Sequence, residues 1–348
     1  MDHRGWARFR LVLNYFIPPV KLICNDSIFQ SLGKNLAMSL KNSLLYLSLL
    51  SIFLFGHMAG CAGSKPLPPK KSEAVELDQR AAEFLYRGQY EKALKYFQKS
   101  LQVHESIDDR QGVALSLNNL GTVYQARNEY PQALQYYERS LTIHAEIGDE
   151  AGQSLNFNNI GTVTRLAGKP EPALEFFQKS LAIEEKRGNR RGQAIRWNNI
   201  GLTYQDMRNA PRALECYLKS QKMNREADDF SGLADNGNNI GSLYESQKDW
   251  SRAQDAYQNA LEMDKKVENS LGIAVDLSNL GRILEARGDK EKALDHYLRA
   301  WKVNEYLDLK NRILKDLANI ERLFEDLGKQ EDAERIRQRA SQIKSQLK

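Results

Sequence analysis

From residue 76 onward, apolar and polar positions follow the period of a helix, and the pattern returns every 40 residues. Within 113–148, Leu117, Leu120 and Tyr124 are spaced by three and four and so share one helical face. The pattern breaks at Arg127-Asn128-Glu129-Tyr130, and a second stripe follows with Ala133, Tyr137, Leu141 and Ile143. The equivalents of Asn128 are Gly88, Gly168, Gly288 and Gly328, as expected where a helix ends in a left-handed residue. Pro131 and Pro211 fall where the first turn of a helix tolerates proline. Each unit therefore reads as helix, tight turn, helix.

The register does not slip. Its anchors are Ala81, Gly121, Gly161, Gly201, Gly241 and Gly281, with Glu321 in the last copy. Twelve residues after each anchor stands an alanine, from Ala93 to Ala333. Sixteen after it stand Phe97, Tyr137, Phe177, Tyr217, Tyr257 and Tyr297, and finally Arg337. Such self-similarity marks a repeat array, in which each unit buries its apolar face against its neighbours. An array presents a long surface rather than a closed pocket. Gly121 and Ala133 are expected where the two helices of a unit cross, with Tyr137 filling the space between units.

The register resembles the tetratricopeptide repeat, on Leu117, Leu120-Gly121, Tyr124, Ala133, Tyr137 and Ser140. The resemblance covers 76–348 and implies an all-α fold: a right-handed superhelical solenoid of seven helix-turn-helix repeats. The standard unit has about 34 residues, whereas here six more follow each second helix, at 108–113, 148–153, 188–193, 228–233, 268–273 and 308–313. Five of those segments carry a glycine at one place: Gly112, Gly152, Gly192, Gly232 and Gly272. The lengthened unit is similar to those of kinesin light chains and of Leu-Gly-Asn-type polarity adaptors. The likeness identifies a scaffold and leaves its ligand open. The last helix carries Ala333, Ile336, Ala340, Ile343 and Leu347 on one stripe and is otherwise polar, as a terminal cap must be.

Composition adds compartment more than chemistry. At 41% apolar and 27% charged residues the chain is a folded one. Its formal +5 sits mainly in 1–60, which hold six Lys or Arg against two Asp or Glu. The nearly neutral remainder gives no electrostatic reason to expect a nucleic-acid partner. Residues 44–55 form a 12-residue apolar run after Lys41 and before Gly56-His57-Met58-Ala59-Gly60-Cys61. A basic start, a short apolar core and small residues describe an export signal, and the run is short against the roughly 20 apolar residues a spanning helix needs. The segment resembles a bacterial lipoprotein signal, which implies lipid on Cys61, cleavage before it, and, with Ala62 next, the outer membrane facing the periplasm. Met58 departs from that pattern, where leucine is usual. Residues 38–60 are then the signal and 61–75 the anchor and tether. Residues 1–37 show no repeat phase, and translation is expected to start at Met38; an uncleaved signal anchor is the other reading. With Cys24 and Cys61 set aside, only Cys216 remains, so no disulfide framework is expected.

Catalytic motifs are missing: no Gly-rich phosphate loop, nucleophile elbow, HExxH or paired CxxC. The chain is expected not to be an enzyme and to use no cofactor or small-molecule substrate. His104 and His144 share a slot in adjacent copies. Equivalent positions on packed helices lie ~8–10 Å apart, while two ligands of one zinc each approach it to about 2.0–2.1 Å, so no metal is expected. The slot continues as Glu184, Asn224, Asp264 and Asn304, the make-up of a solvated face.

The asparagines say more. Two residues before the anchor stand Asn119, Asn159, Asn199, Asn239, Asn279 and Asn319; one residue earlier stand Asn118, Asn158, Asn198 and Asn238, then Ser278 and Ala318. The resemblance places these slots on or near the concave face and likens them to the asparagine ladder of other tetratricopeptide grooves. A carboxamide both donates and accepts, so it can bond a ligand backbone without demanding a sequence. The slot of Asn119 equally suits a bond between neighbouring helices. One turn further on lie Gln125, Arg165, Gln205, Glu245 and Glu285, also groove candidates, with Arg196, Trp197 and Asp235 nearby. Trp197 suits the core, and Gly237 in its slot suggests a gap and a softer joint. The expected function is a membrane-anchored adaptor that holds a partner peptide or helix in its groove; family analogy implies a part in the assembly of an envelope machine such as a pilus or secretion channel. An intracellular regulatory adaptor and an accessory subunit of a neighbouring enzyme stay open.

Overall fold

The structure, a computed structural model, describes residues 68–346. The expected start, signal and lipid-anchor segments up to residue 67, with Cys61, and Leu347 of the terminal stripe lie outside the described residues.

The described residues form fourteen α-helices and no strand, in two compact units that divide after Asp109. The first unit holds α1 (Pro69–Tyr86) and α2 (Tyr90–Ser106). The second holds α3 (Arg110–Ala126), α4 (Tyr130–Glu146), α5 (Glu150–Leu166), α6 (Pro170–Lys186), α7 (Arg190–Asp206), α8 (Ala210–Glu226), α9 (Phe230–Ser246), α10 (Trp250–Lys266), α11 (Ser270–Ala286), α12 (Lys290–Tyr306), α13 (Lys310–Asp326) and α14 (Gln330–Ser345). Odd helices open a repeat and even helices close it, which is the expected helix-turn-helix solenoid. Helix α1 begins at Pro69, so the last residues of the expected tether form its first turn, where proline is pre-organised.

Every link between helices is three residues long, and each holds one left-handed residue. Glycine takes that place at six links; Asp108, Asn128, Arg208, Asp228, Lys248, Glu268 and Asp308 take it elsewhere, with φ between 49° and 60°. The residue after it reaches back to close the helix, as Glu129 N–H does to Tyr124 O at 2.9 Å. The stop is thus enforced by geometry even where the sequence offers Lys or Arg.

The anchor glycines admit an aromatic ring rather than a crossing backbone. A Cβ on Gly121 would stand 2.7 Å from the Tyr137 ring, and one on Gly201 2.5 Å from Tyr217. Those rings are fully buried, each contributing ~1.5–3 kcal/mol. They seed a series of small cores, each joining an even helix to the next odd one: Ala133 and Tyr137 meet Ile160 and Val163, and Ala173 and Phe177 meet Ile200. Trp197 packs at the edge of the latter, with Lys219 Nζ 4.4 Å above its ring. Gly237 leaves no gap: a Cβ there would stand 3.0 Å from Ala256 O and 3.1 Å from Ala260 Cβ. Small residues on α10 let the helices close, so this joint is tight. On α14, Ala333, Ile336, Ala340 and Ile343 are buried and cap the second unit.

The six extra residues build the start of the next odd helix. Asp149, Asn189, Asp229 and Asn269 cap α5, α7, α9 and α11 by accepting from the amides of Gly152, Gly192, Gly232 and Gly272. Those glycines make room for the buried polar residue that ends the preceding even helix; a Cβ on Gly192 would stand 2.5 Å from Glu184 Oε2. Within the second unit the odd helices α5, α7, α9 and α11 also touch each other and approach more closely than even helices do, so they form its inner layer.

Candidate functional site

Two slots of the odd helices α3 to α11 meet across that layer. Asn159 Nδ2 donates to Asn118 Oδ1 at 2.8 Å, Asn199 to Asn158 at 2.7 Å, Asn239 to Asn198 at 2.8 Å and Asn279 to Asn238 at 2.8 Å. Four bonds of one kind therefore tie α3, α5, α7, α9 and α11 in series. Asn118 and Asn119 are buried, whereas Asn158, Asn159, Asn198, Asn199, Asn238 and Asn239 are half-buried. The ladder's first partner is the next helix. Asn198 Oδ1 also accepts from Asn236 at 3.0 Å, and Asn238 Nδ2 also donates to Asp276 at 2.6 Å. Among the described residues no donor reaches Oδ1 of Asn199 or Asn239, so these half-exposed carbonyls keep acceptor capacity for a ligand.

The slot of Gln125 is tied to the buried aromatic twelve residues on. Tyr137 OH donates to Gln125 at 2.9 Å, Tyr217 OH to Gln205 at 2.7 Å and Tyr257 OH to Glu245 at 2.8 Å. Where the ring is Phe177 and has no hydroxyl, the slot holds Arg165, which bonds Asp206 in the next odd helix at 2.6 Å. Where the ring is replaced by Arg337, the slot holds Glu325, at 2.6 Å. These side chains are fixed by internal partners, and their covariation with the aromatic was present in the sequence.

The side chains best placed to meet a ligand were not among the expected ones. Leu155 and Ile195 lie one turn before Asn159 and Asn199 on the same helical face. They are 36% and 46% exposed. The same slot holds Leu115 and Val275, half-buried, and Asp235, exposed. Sequence reasoning gave these positions no role; the signal available was their phase, a turn from the asparagines.

The slot of His104 and His144 is a second correction. It is not a solvated face: His104, His144, Glu184, Asn224, Asp264 and Asn304 are all buried. Each closes an even helix. In the first unit, His104 is held above its usual range chiefly by Asp78, with Asp109, 3.0 Å from its Nδ1, adding to the effect. In the second, burial pushes His144 down against the pull of Asp149 at 3.0 Å. Arg196, expected near the groove, is buried instead. It donates to Ser180 Oγ at 2.7 Å and Ser154 Oγ at 3.0 Å and pairs with Glu184 at 3.6 Å, and burial lowers its pKa to about 10. Cys216 is buried too, and burial pushes its thiol up to about 11, away from reactivity at neutral pH.

The inner layer thus offers aliphatic side chains flanked by carboxamides, a surface able to bury an apolar side chain and bond a backbone beside it. Residues 74–146 and 233–305 match one family model described as tetratricopeptide repeat, and 194–226 match another of the same description; together these are more than half of the chain. No curated protein sequence matches the chain. Among solved structures, BtubC (BKLC) from P. vanneervenii is 20% identical over 70% of this chain and 93% of its own, with a TM-score of 0.51. A Rap protein complexed with competence and sporulation factor is 16% identical over 98% of each chain, with a TM-score of 0.58. The apo form of RapI is 13% identical over 79% of this chain and 98% of its own, with a TM-score of 0.55. At such identities the likeness is one of fold.

Proposed function

The chain belongs to the tetratricopeptide-repeat family, and from that premise we propose that it is a non-catalytic adaptor that holds a segment of a partner protein against its inner layer. The observation that carries this reading is the exposure of Leu155 and Ile195 beside the half-exposed Asn159 and Asn199. An exposed aliphatic pair next to the free carboxamide acceptor of Asn199 suits a ligand that brings an apolar side chain and a backbone donor together. That a Rap protein of this fold is complexed with competence and sporulation factor supports ligand binding by such an array. In this reading the adaptor is tethered through lipid on Cys61 to the outer membrane and faces the periplasm, a proposal that rests on 44–61 of the sequence.

A photo-crosslinking residue at position 195, against the same residue at Leu218 on α8, tests the groove. A partner captured only from position 195, and lost when Leu155→Glu is added to a chain of unchanged melting temperature, supports the reading; equal capture from both positions refutes it. Intact mass and lipid labelling of the membrane-fraction protein, wild type against Cys61→Ala, test the anchor. An unlabelled wild-type chain that keeps residues 38–60 would exclude it.

A further inference from the structure

Each of the even helices α4 to α12 buries a polar side chain in its last turn, and a second buried slot follows twelve residues on, in the next odd helix. Where these slots bond each other, one member can usually donate. Arg196 faces Glu184, Asn224 Nδ2 donates to Asn236 Oδ1 at 2.7 Å, and Asn304 Nδ2 donates to Asp316 Oδ2 at 2.6 Å. The exception is Asp264 on α10 with Asp276 on α11. These carboxyl groups are 2% and 0% exposed, and they stand in the two slots that bond each other at the neighbouring joints. Ionised carboxylates only accept, so the contact needs a proton between them.

The surroundings leave no other donor for that contact. From α9, Asn238 Nδ2 bonds Asp276 Oδ1 at 2.6 Å, and from the link before α11, Asn269 Nδ2 bonds Asp264 Oδ1 at 2.9 Å. Asp276 Oδ2 is buried and has no ordinary donor. The start of α11 closes on Asp264 at Gly272, where a Cβ would collide with its carboxylate. The other charged group that acts on the pair is Asp235 on α9, which is also acidic. Lys265 and Lys266, next to Asp264 on α10, are exposed, and Lys266 sits over the Phe230 ring. Among the described residues no cation on α9, α10, α11 or α12 pairs with either carboxyl.

We propose that Asp264 and Asp276 form a one-proton latch between the fifth and sixth repeats, closed while the pair holds its proton and released when it loses it. Burial raises both groups, Asp276 to about 8. A solvated aspartate titrates near ~3.9. Opening the latch therefore releases a proton between pH ~4 and ~8, and stability there falls as pH rises. In that window the opening constant rises about tenfold per pH unit; below and above it the dependence ends. Asn224–Asn236 has no titrating group, and in Asn304–Asp316 the amide donates to the carboxylate and works against the rise that burial causes, so the effect is largest at this joint, as an array of nearest-neighbour interfaces allows.

The test is amide hydrogen exchange on the full chain at pH about 6 and about 8, corrected for intrinsic rates. In wild type, opening measured at α11 amides rises ~50-fold between these values, the pair being half-ionised at the upper one. In Asp264→Asn, which copies the Asn304–Asp316 pair, the rise is smaller, because an amide that donates to Asp276 favours its ionised form. The same pH dependence in both chains overturns the latch. Should the variant fail to fold, infrared spectroscopy of the wild type decides: the carbonyl stretch of a buried protonated carboxylic acid is expected at neutral pH and is lost by pH about 9, and its absence at neutral pH overturns the proposal.

Discussion

The half-exposed ladder on the inner layer and the buried pairs at the ends of the even helices recur with the same period and obey different rules. The ladder uses one chemistry at every step: Asn159 to Asn118, Asn199 to Asn158, Asn239 to Asn198, Asn279 to Asn238. The buried slots change chemistry at each joint, through Glu184–Arg196, Asn224–Asn236, Asp264–Asp276 and Asn304–Asp316. A ladder helix accepts from the next helix through one slot and donates to the preceding one through the other, so the same carboxamide side chain serves at both ends of every rung. A buried pair does not have to continue along the array, even where it also bonds a ladder residue, and its members need only balance within their own joint. Each joint can therefore choose its own solution, including one that needs a proton.

The largest expected effect lies in the buried slots. Glu184→Ala leaves Arg196 without its counter-ion in the interior, and urea unfolding should show a loss of ~3–5 kcal/mol; most of it returns when Arg196→Met is added. A loss below about 1 kcal/mol would mean that the pair is hydrated, and that the two regions do not differ as argued. A rung costs less. Asn198→Ala removes the acceptor of both Asn239 and Asn236, and ~1–2 kcal/mol should be lost, read as faster exchange in α7 and α9; an even loss along the array would break the picture of stepwise bonds. Smaller again is Tyr217→Phe, which deletes the bond to Gln205, at ~1 kcal/mol. Coupled with Gln205→Leu, a combination that copies Phe97 and Leu85 of the first repeat, a double-mutant cycle should recover most of it. The smallest change should touch neither region: Lys248→Gly relieves a left-handed residue at φ 60° and should gain ~0.5–1 kcal/mol, seen as a higher melting temperature with unchanged exchange in α7.

The sequence by itself determined the fold. The 40-residue period, the helix stops near Asn128 and its equivalents, the glycine under each aromatic and the apolar stripe of α14 are all local signals, because a helix is set by its own residues and by those one turn away. Much of the site was legible too: the asparagine slots were found by phase, and the bond from Gln125 to Tyr137 could have been read from covariation with Phe177 and Arg337. What the tertiary structure decided was exposure. Whether Glu184 or Asp264 faces water depends on how the next odd helix rotates and how closely Gly192 or Gly272 lets it approach, and no spacing within one helix encodes that. The same rotation left Leu155 and Ile195 outside while burying Arg196 one residue on. Helical periodicity fixes which residues share a face; only the packing of neighbouring helices fixes which face is inside.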